Sequence, residues 1–598
     1  MNDVSQPISS DVLLDTYAQP GETTVDEVRH RIAQALAQAE APAQRALRAA
    51  QFLAVQREGF IVAGRVAAHA GTGAKSTMIN CFVQPLCDSI THAEGGIPGI
   101  YTALMETAET LRLGGGVGID FSPIRPRGAR IAGVDTLGLG PVGFLQLFNL
   151  SCELLGSTAR RPGAQMGVLR CDHPDALAFA QVKTQGGLAS FNLSVAVTDA
   201  FMQAVTDDTE FELVHVAEPG PVQQAAGATR RADGLWVYQR LPARRLWAAI
   251  VGGAHERGEP GVLFVDRIQA DNNLGYCERI AATNPCGEQP LPPYGACCLG
   301  SINLVQLVER PFEPSARLAL ERLDTMVPVA VRMLDNVLQL THWPLPQQRQ
   351  QALAKRRIGL GFTGLGDALI MLGLPYDSEA ARQLAAGVAR TLRDRAYEAS
   401  IALAHERGPF PSFKADGVLR RGSFASRLPG ALQRDIRAHG LRNSHLLSIA
   451  PAGSVSLAFA DNVSSGIEPP YAWHYLRHRR RRDGLGLAAY DVVDPAWRLH
   501  RALRGASAPL GPAFATATQL PPAAHLSMVA AVAPYIDGAI SKTVNANEGC
   551  AYDDFEALFR QAWKDGLKGV TAFRSRGVLG SVLQAPAPRH GAHTGSPA

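Results

Sequence analysis

A chain of 598 residues with 58 Lys plus Arg against 54 Asp plus Glu carries a formal charge of +4, and 46% of it is hydrophobic. This balance excludes a disordered, collagen-like or coiled-coil protein, and it argues against a dedicated nucleic-acid binder, which shows a strong basic excess. No run approaches the roughly 18 apolar residues of a membrane span. Nine Cys without a C-x-x-C pair point to free thiols rather than a disulfide framework or zinc ribbon. The N-terminal MNDVSQPISSDVLLD has acids and no apolar core of a signal peptide. The expectation is a cytoplasmic protein whose partners are small molecules or other proteins, with no nucleic acid, no membrane and no metal held by side chains.

In chain order, Thr24-Val-Asp-Glu27 has the form of a capping box, and Val25, Val28, Ile32 and Leu36 recur at helical spacing. Residues 1–75 therefore read as a helical N-terminal region. From Asn80 the texture changes to short apolar runs, glycine punctuation and amphipathic helices, the pattern of an α/β body. Helices are predicted over 325–341 and 377–407. Residues 581–598, rich in Pro, Gly, Ala and His, read as a disordered tail.

The stretch TNPCGEQPLPPYGACCLGSIN, from Thr283 to Asn303, is the most informative. Its four prolines and three glycines rule out a regular helix through residue 295. Alternation along an extended chain puts Asn284, Cys286 and Glu288 on one side, which gathers an amide, a thiol and a carboxylate on one edge of a stiff loop. Composition alone favours a proline-rich loop around a packing cysteine.

Read whole, this segment resembles the finger loop of the ribonucleotide reductase catalytic subunit, N-P-C-G-E-Q-P-L. The resemblance runs from about Gln6 to Arg574 and is nearest the adenosylcobalamin-dependent branch. Its motifs appear in order: NCFVQPLCDSI from Asn80, LGGGVGIDFSPIRPRG from Leu113, GAQMGVLRCDHPD from Gly163, FNLSVAVTDAF from Phe191, SIAPAGSVS from Ser448, SSGIEPPY from Ser464 and WKDGLKGVTAFR from Trp563. The resemblance implies an α/β fold, a ten-stranded α/β barrel of two five-stranded halves with a central finger loop, filling residues 76–580.

It also implies roles. Cys286 becomes a thiyl radical and abstracts the 3′ hydrogen of a ribonucleotide, Glu288 takes the 3′ hydroxyl proton, and Asn284 bonds the substrate hydroxyls. Cys81 and Cys297 form the redox-active pair; Cys298 is a departure that is either inert or a competitor in exchange. Gly115 and Gly116, in what reads locally as a tight Gly-rich turn with Gly118, approach the substrate. Backbone amides of Ala452, Gly453, Ser454, Val455 and Ser456 hold its phosphates at a helix N-terminus. Asp88, Ser89, Ile90 and Arg125 bind a deoxynucleotide effector at a homodimer interface, and Arg160 and Arg161 belong to the specificity loop, where Pro162 departs from the family pattern. No cysteine follows Cys550, so the reductant is a thioredoxin-like protein or a second chain carrying a cysteine pair.

His474 and His478 would share a face on a helix, as metal ligands can, but the neighbouring arginines make a cation there improbable. Two other reductase branches lack their marks: there is no adjacent tyrosine pair for an iron-dependent large subunit, and no C-terminal glycyl-radical motif. The remaining alternative is a non-catalytic nucleotide-binding regulatory homologue, against which the intact Asn284, Cys286, Glu288, Cys81 and Cys297 weigh.

Overall fold

The computed structural model describes residues 5–134, 136–158, 163–480, 486–574 and 583–584. The capping box forms: Thr24 Oγ1 accepts from the Glu27 amide while the Glu27 carboxylate accepts from the Thr24 amide. The helix it starts, Val25–Leu36, fully buries Val28, Ile32 and Leu36. After a second helix, Arg45–Glu58, the chain leaves the helical region as a short strand, Phe60–Val62, antiparallel to residues 300–302. The N-terminal region is thereby stitched to the sheet that follows.

Five strands, β1 (Cys81–Gln84), β2 (Gly116–Asp120), β3 (Gln165–Arg170), β4 (Phe191–Val197) and β5 (Gly261–Phe264), pair in that order and all in parallel. A second parallel set begins with β6 (Ala296–Asn303) and β7 (Ile358–Thr363) and ends with β8 (Thr543–Ala546) and β9 (Gly569–Arg574). Residues 446–449 bridge the two pairs. Leu447 lies parallel to Leu360 and Ile449 parallel to Ile540; the Leu360 amide donates to Leu446 O at 2.7 Å and the Ser541 amide to Ile449 O at 2.9 Å. The halves meet antiparallel at both seams, β1 against β6 and β5 against β9. The result is the expected ten-stave α/β barrel.

Both faces of these strands are covered, so they read as nearly continuous apolar runs. Alternation sorts them. Cys81, Val83, Met166, Val168, Ala196, Leu263, Cys297 and Leu299 cluster inside the barrel. Phe82, Val117, Ile119, Val195, Phe264, Cys298 and Leu360 pack outward into the helical layer. That layer includes the two long helices, Leu323–Leu340 and Glu379–Arg407, each within two residues of its predicted bounds.

His474–Arg480 is a strand, antiparallel to Leu487–Val493, not a helix. Four strand residues span about 13 Å, too far for His474 and His478 to share an ion, and His474 instead meets Asp491 Oδ1 at 2.9 Å. Leu583–Gln584 adds a third strand to this pair. The other residues of 581–598 lie outside the described ones.

Candidate active site

The segment from Thr283 forms a hairpin, Ala282–Thr283 antiparallel to Pro290–Leu291, whose tip is residues 284–289. Its way into the barrel is cleared by glycines of β2. A Cβ on Gly118 would fall 1.7 Å from Thr283 O, and one on Gly116 would fall 3.0 Å from Pro285 Cγ. On Gly115 it would strike the Phe82 ring at 2.6 Å. The tight turn read at 115–118 is therefore corrected: Gly116–Asp120 is strand, and these glycines accommodate the finger and Phe82. The left-handed turn residue is Gly114, at φ +97°.

The tip is folded on itself and tied to both halves of the barrel. Gly287, at φ +82°, donates its amide to Asn284 O, and Asn284 Oδ1 accepts from the Gln289 amide at 2.9 Å. From the first half, Asn192 Nδ2 donates to Pro285 O at 2.8 Å. From the second, Ser448 Oγ and the Ala539 amide donate to Glu288 O at 2.9 and 3.0 Å.

This scaffold joins the finger residues to one of the paired cysteines. Asn284 Nδ2 donates to Cys81 Sγ at 3.2 Å, and Cys81 Sγ lies 3.9 Å from Glu288 Oε1, to which its thiol donates. Glu288 is 2% exposed and its second carboxylate oxygen has no hydrogen-bond partner. Burial raises the Glu288 carboxyl to about 7, with bonds from Asn284 and Cys81 opposing the shift. Burial, reinforced by the Glu288 charge, also pushes the Cys81 and Cys286 thiols up. Both cysteines are thus favoured as S–H over thiolate. Cys286 fronts a cavity of about 850 Å³ and is open to it, although it sits deep within the barrel.

Cys297 on β6 lies directly opposite Cys81 on β1. Opposed residues of antiparallel strands have Cα atoms about 4.5–5.5 Å apart, within the roughly 4.4–6.8 Å that a disulfide spans. Cys298 points the other way, into the outer core beside Ile358, so it does not face the pair. All nine cysteines are free thiols.

At another wall of the cavity, formed in part by Pro451, Gly453 and Ser456, a helix begins, Gly453–Ala460. Ala452 is its N-cap and offers no side-chain cap; its amide donates to Ser465 Oγ at 2.8 Å. The hydroxyls of the first turn have protein partners: Ser454 meets Tyr17 OH at 2.7 Å and Ser456 donates to Val463 O. What this helix start offers the cavity is main chain rather than hydroxyl, and N–H groups at a helix start are a chemistry suited to an anion.

The effector candidates converge on each other. Arg125 Nε donates to Asp88 Oδ2 and its backbone amide to Asp88 Oδ1, both at 2.9 Å. Ser89 O and Ile90 O accept the amides of Ile100 and Tyr101 and so hold the start of the helix Ile100–Arg112. Arg160, Arg161 and Pro162 lie outside the described residues. Three groups were not singled out from the sequence: Asn192 and Ser448, which tether the tip, and Glu106, which reaches the cysteine seam. Asn192 and Ser448 occur within quoted motifs, where a polar residue in an apolar strand was the available signal. Glu106 sits in METAETLR and reads as an ordinary surface acid.

The chain is similar to known proteins over most of its length. A family model described as "Ribonucleotide reductase, barrel domain" matches residues 79–573. The vitamin B12-dependent ribonucleoside-diphosphate reductase of Mycobacterium tuberculosis is 36% identical over 529 residues, 86% of this chain and 70% of that protein. The protein of the same name from Thermoplasma acidophilum is 31% identical over 84% of this chain and 62% of its own length. The ribonucleoside-diphosphate reductase large subunit of vaccinia virus is 29% identical over 68% of this chain and 54% of its own length.

Proposed function

Since this chain belongs to the ribonucleotide reductase family, we propose that it reduces ribonucleotides, specifically ribonucleoside diphosphates, to 2′-deoxyribonucleotides by a cobalamin-initiated radical route. The observation that carries this reading is the joint between finger and seam. Asn284 and Glu288 are both bonded to Cys81, which faces Cys297, while Cys286 fronts the large cavity.

The cavity volume lies within the roughly 300–1,000 Å³ of small-molecule sites, and the Cys286 thiol opens onto it. Arg257, Gly258, Asn545 and Phe573 line the same cavity as Cys286 and would hold the cofactor there. When bound, adenosylcobalamin would supply a carbon-centred radical that accepts the hydrogen atom of the Cys286 thiol. Cys286, as a thiyl radical, takes the hydrogen from C3′ and later returns it. The free carboxylate oxygen of Glu288 accepts the 3′ hydroxyl proton, a transfer suited to a group whose pKa is near 7. Asn284 aligns the substrate hydroxyls. Cys81 and Cys297 give up two electrons and two protons and close to a disulfide, while the 2′ hydroxyl leaves as water. The helix start at Gly453, Ser454 and Val455 receives the phosphates, the Ala452 and Ser456 amides being bonded to Ser465 Oγ and Ala452 O, while Gly116 keeps the finger lane open beside the sugar and Gly115 makes room for Phe82.

The same reading assigns a deoxynucleotide effector to Asp88, Ser89, Ile90 and Arg125, and the specificity loop to Arg160 and Arg161. It also assigns a homodimer. Tyr101 and Met105 on helix Ile100–Arg112, with Leu150 and Leu154 on the adjoining helix Pro141–Thr158, are 50–64% exposed large apolar residues. Re-reduction falls to a thioredoxin-like protein or a second chain, in the reducing cytoplasm that suits nine free thiols. No helix among the described residues is long and apolar enough to cross a membrane.

Assay of cytidine diphosphate reduction with dithiothreitol, with and without adenosylcobalamin, tests the reading. Product is expected only with the cofactor; equal activity without it would overturn the cobalamin route, and no product even with it would favour the iron-dependent alternative, which needs a radical-generating partner.

A further inference from the structure

The seam that brings Cys81 opposite Cys297 is short. Its register covers Cys81 with Cys297 and Phe82 with Ala296, and the Val83 amide extends it by donating to Gly295 O at 3.0 Å. One step further the register sets Gln84 against Tyr294. An odd offset from the cysteines turns these two side chains to the outer face of the barrel, consistent with Val83 lying inside and Phe82 outside.

There both meet one carboxylate. Gln84 Nε2 donates to Glu106 Oε2 at 2.6 Å and Tyr294 OH donates to the same oxygen at 2.9 Å. Gln347 Nε2 donates to Oε1 at 3.3 Å. Glu106, Gln84 and Tyr294 are 7%, 1% and 7% exposed. Tyr294 is held at φ +57°, a backbone conformation that a bulky residue adopts only under constraint. One buried oxygen thus ties together the strand carrying Cys81 and the loop leading into the strand carrying Cys297. Glu106 stands on helix Ile100–Arg112, outside the barrel, and touches neither cysteine.

We propose that Glu106 is a positioning residue that clamps the Gln84 and Tyr294 ends of the seam and thereby sets how favourably Cys81 and Cys297 close to a disulfide. A disulfide is geometrically exacting, and strain makes it easier to reduce. With the clamp intact, the strands are held in the register in which the thiols oppose each other. Without it, the seam retains only its few backbone bonds, and disulfide closure must work against a looser register. The inference rests on the redox role assigned to this pair.

The test is equilibration of the full-length protein with oxidised and reduced dithiothreitol. The two thiols lose two electrons and two protons to form the disulfide as oxidised dithiothreitol gains them. Glu106→Gln, Tyr294→Phe and the double variant are compared with the unaltered chain, with the pair read by thiol labelling and mass spectrometry and Tm recorded in parallel. Tyr294→Phe removes a single hydroxyl and serves if Glu106→Gln does not fold. The expected result is a disulfide at least tenfold less favoured in each soluble variant, about 30 mV for a two-electron couple. The double variant should lose less than the sum of the singles, since the groups share one bond. An unchanged equilibrium in a folded variant, whether Tm moves or not, would overturn the clamp. Failure of the unaltered chain to form any Cys81–Cys297 disulfide would instead overturn the redox assignment itself.

Discussion

The side-chain amide of Asn284 donates to Cys81 Sγ at 3.2 Å, joining the finger tip to the first strand of the barrel across 203 residues of sequence. The residue that orients substrate hydroxyls in the proposed reaction thus also fixes the sulfur that delivers reducing equivalents. Asn284→Ala removes both contacts. Loss of one positioned hydrogen bond of about 1.4 kcal/mol is tenfold in rate, so kcat should fall at least about tenfold. Single-turnover reduction by pre-reduced protein, without external reductant, measures this.

The buried Glu288 carboxyl, raised to about 7, predicts two pH effects. As the general base it must be ionised, so kcat/KM should rise with pH through about 7. Glu288→Gln should abolish that limb and lower the rate by roughly 10²–10⁴.

The stability effect has the opposite sense. Between about 4.5 and about 7 the folded state retains a proton that the unfolded state releases, so folding stability falls as pH rises through this window. By pH 8 this single group costs roughly 3 kcal/mol. Glu288→Gln should therefore be more stable than the unaltered chain at pH 8 and nearly equal to it at pH 4, as read by urea unfolding.

Cys297 and Cys298 are neighbours with opposite outlooks, one in the barrel and one in the outer core. Cys297→Ser should eliminate the disulfide and stop turnover driven by thiol–disulfide exchange. Cys298→Ala should leave both intact and lower stability by about 1 kcal/mol, as expected for a small buried deletion. Peptide mapping after one turnover distinguishes them.

Gly118 admits the finger hairpin because a Cβ there would lie 1.7 Å from Thr283 O, a backbone atom that cannot swing aside. Gly118→Ala should displace the tip, destabilise the fold by about 3 kcal/mol or more and lower activity at least a hundredfold. Thermal melting and the diphosphate assay check the two parts.

Much of this arrangement was legible in the sequence where its cause is local. The capping box at Thr24, the two long helices and the non-helical course of 283–295 each follow from a short pattern of side chains. That Cys297 and Cys298 face opposite ways also follows from alternation, once β6 is known to be a strand. The resemblance of the finger segment supplied the barrel and the cysteine pair, which periodicity could not, because the opposition of Cys81 to Cys297 depends on β1 and β6 meeting across 216 residues. Other features were hidden for the same reason. Glu106 looks like a solvated acid until Gln84 and Tyr294 are brought to it, and the glycines of β2 look like a turn until the finger is laid against them. The spacing of His474 and His478 fits a helix and a strand equally, and only the partner strand Leu487–Val493 decides.

The central claim is that Cys286 initiates the reaction by taking the 3′ hydrogen. The most direct test compares cytidine diphosphate with its 3′-deuterated form in single turnovers of the chain loaded with adenosylcobalamin, alongside Cys286→Ala. The account predicts slower reduction of the deuterated substrate by the unaltered chain and no deoxynucleotide from the variant. Deoxynucleotide formation by a folded Cys286→Ala protein would contradict it.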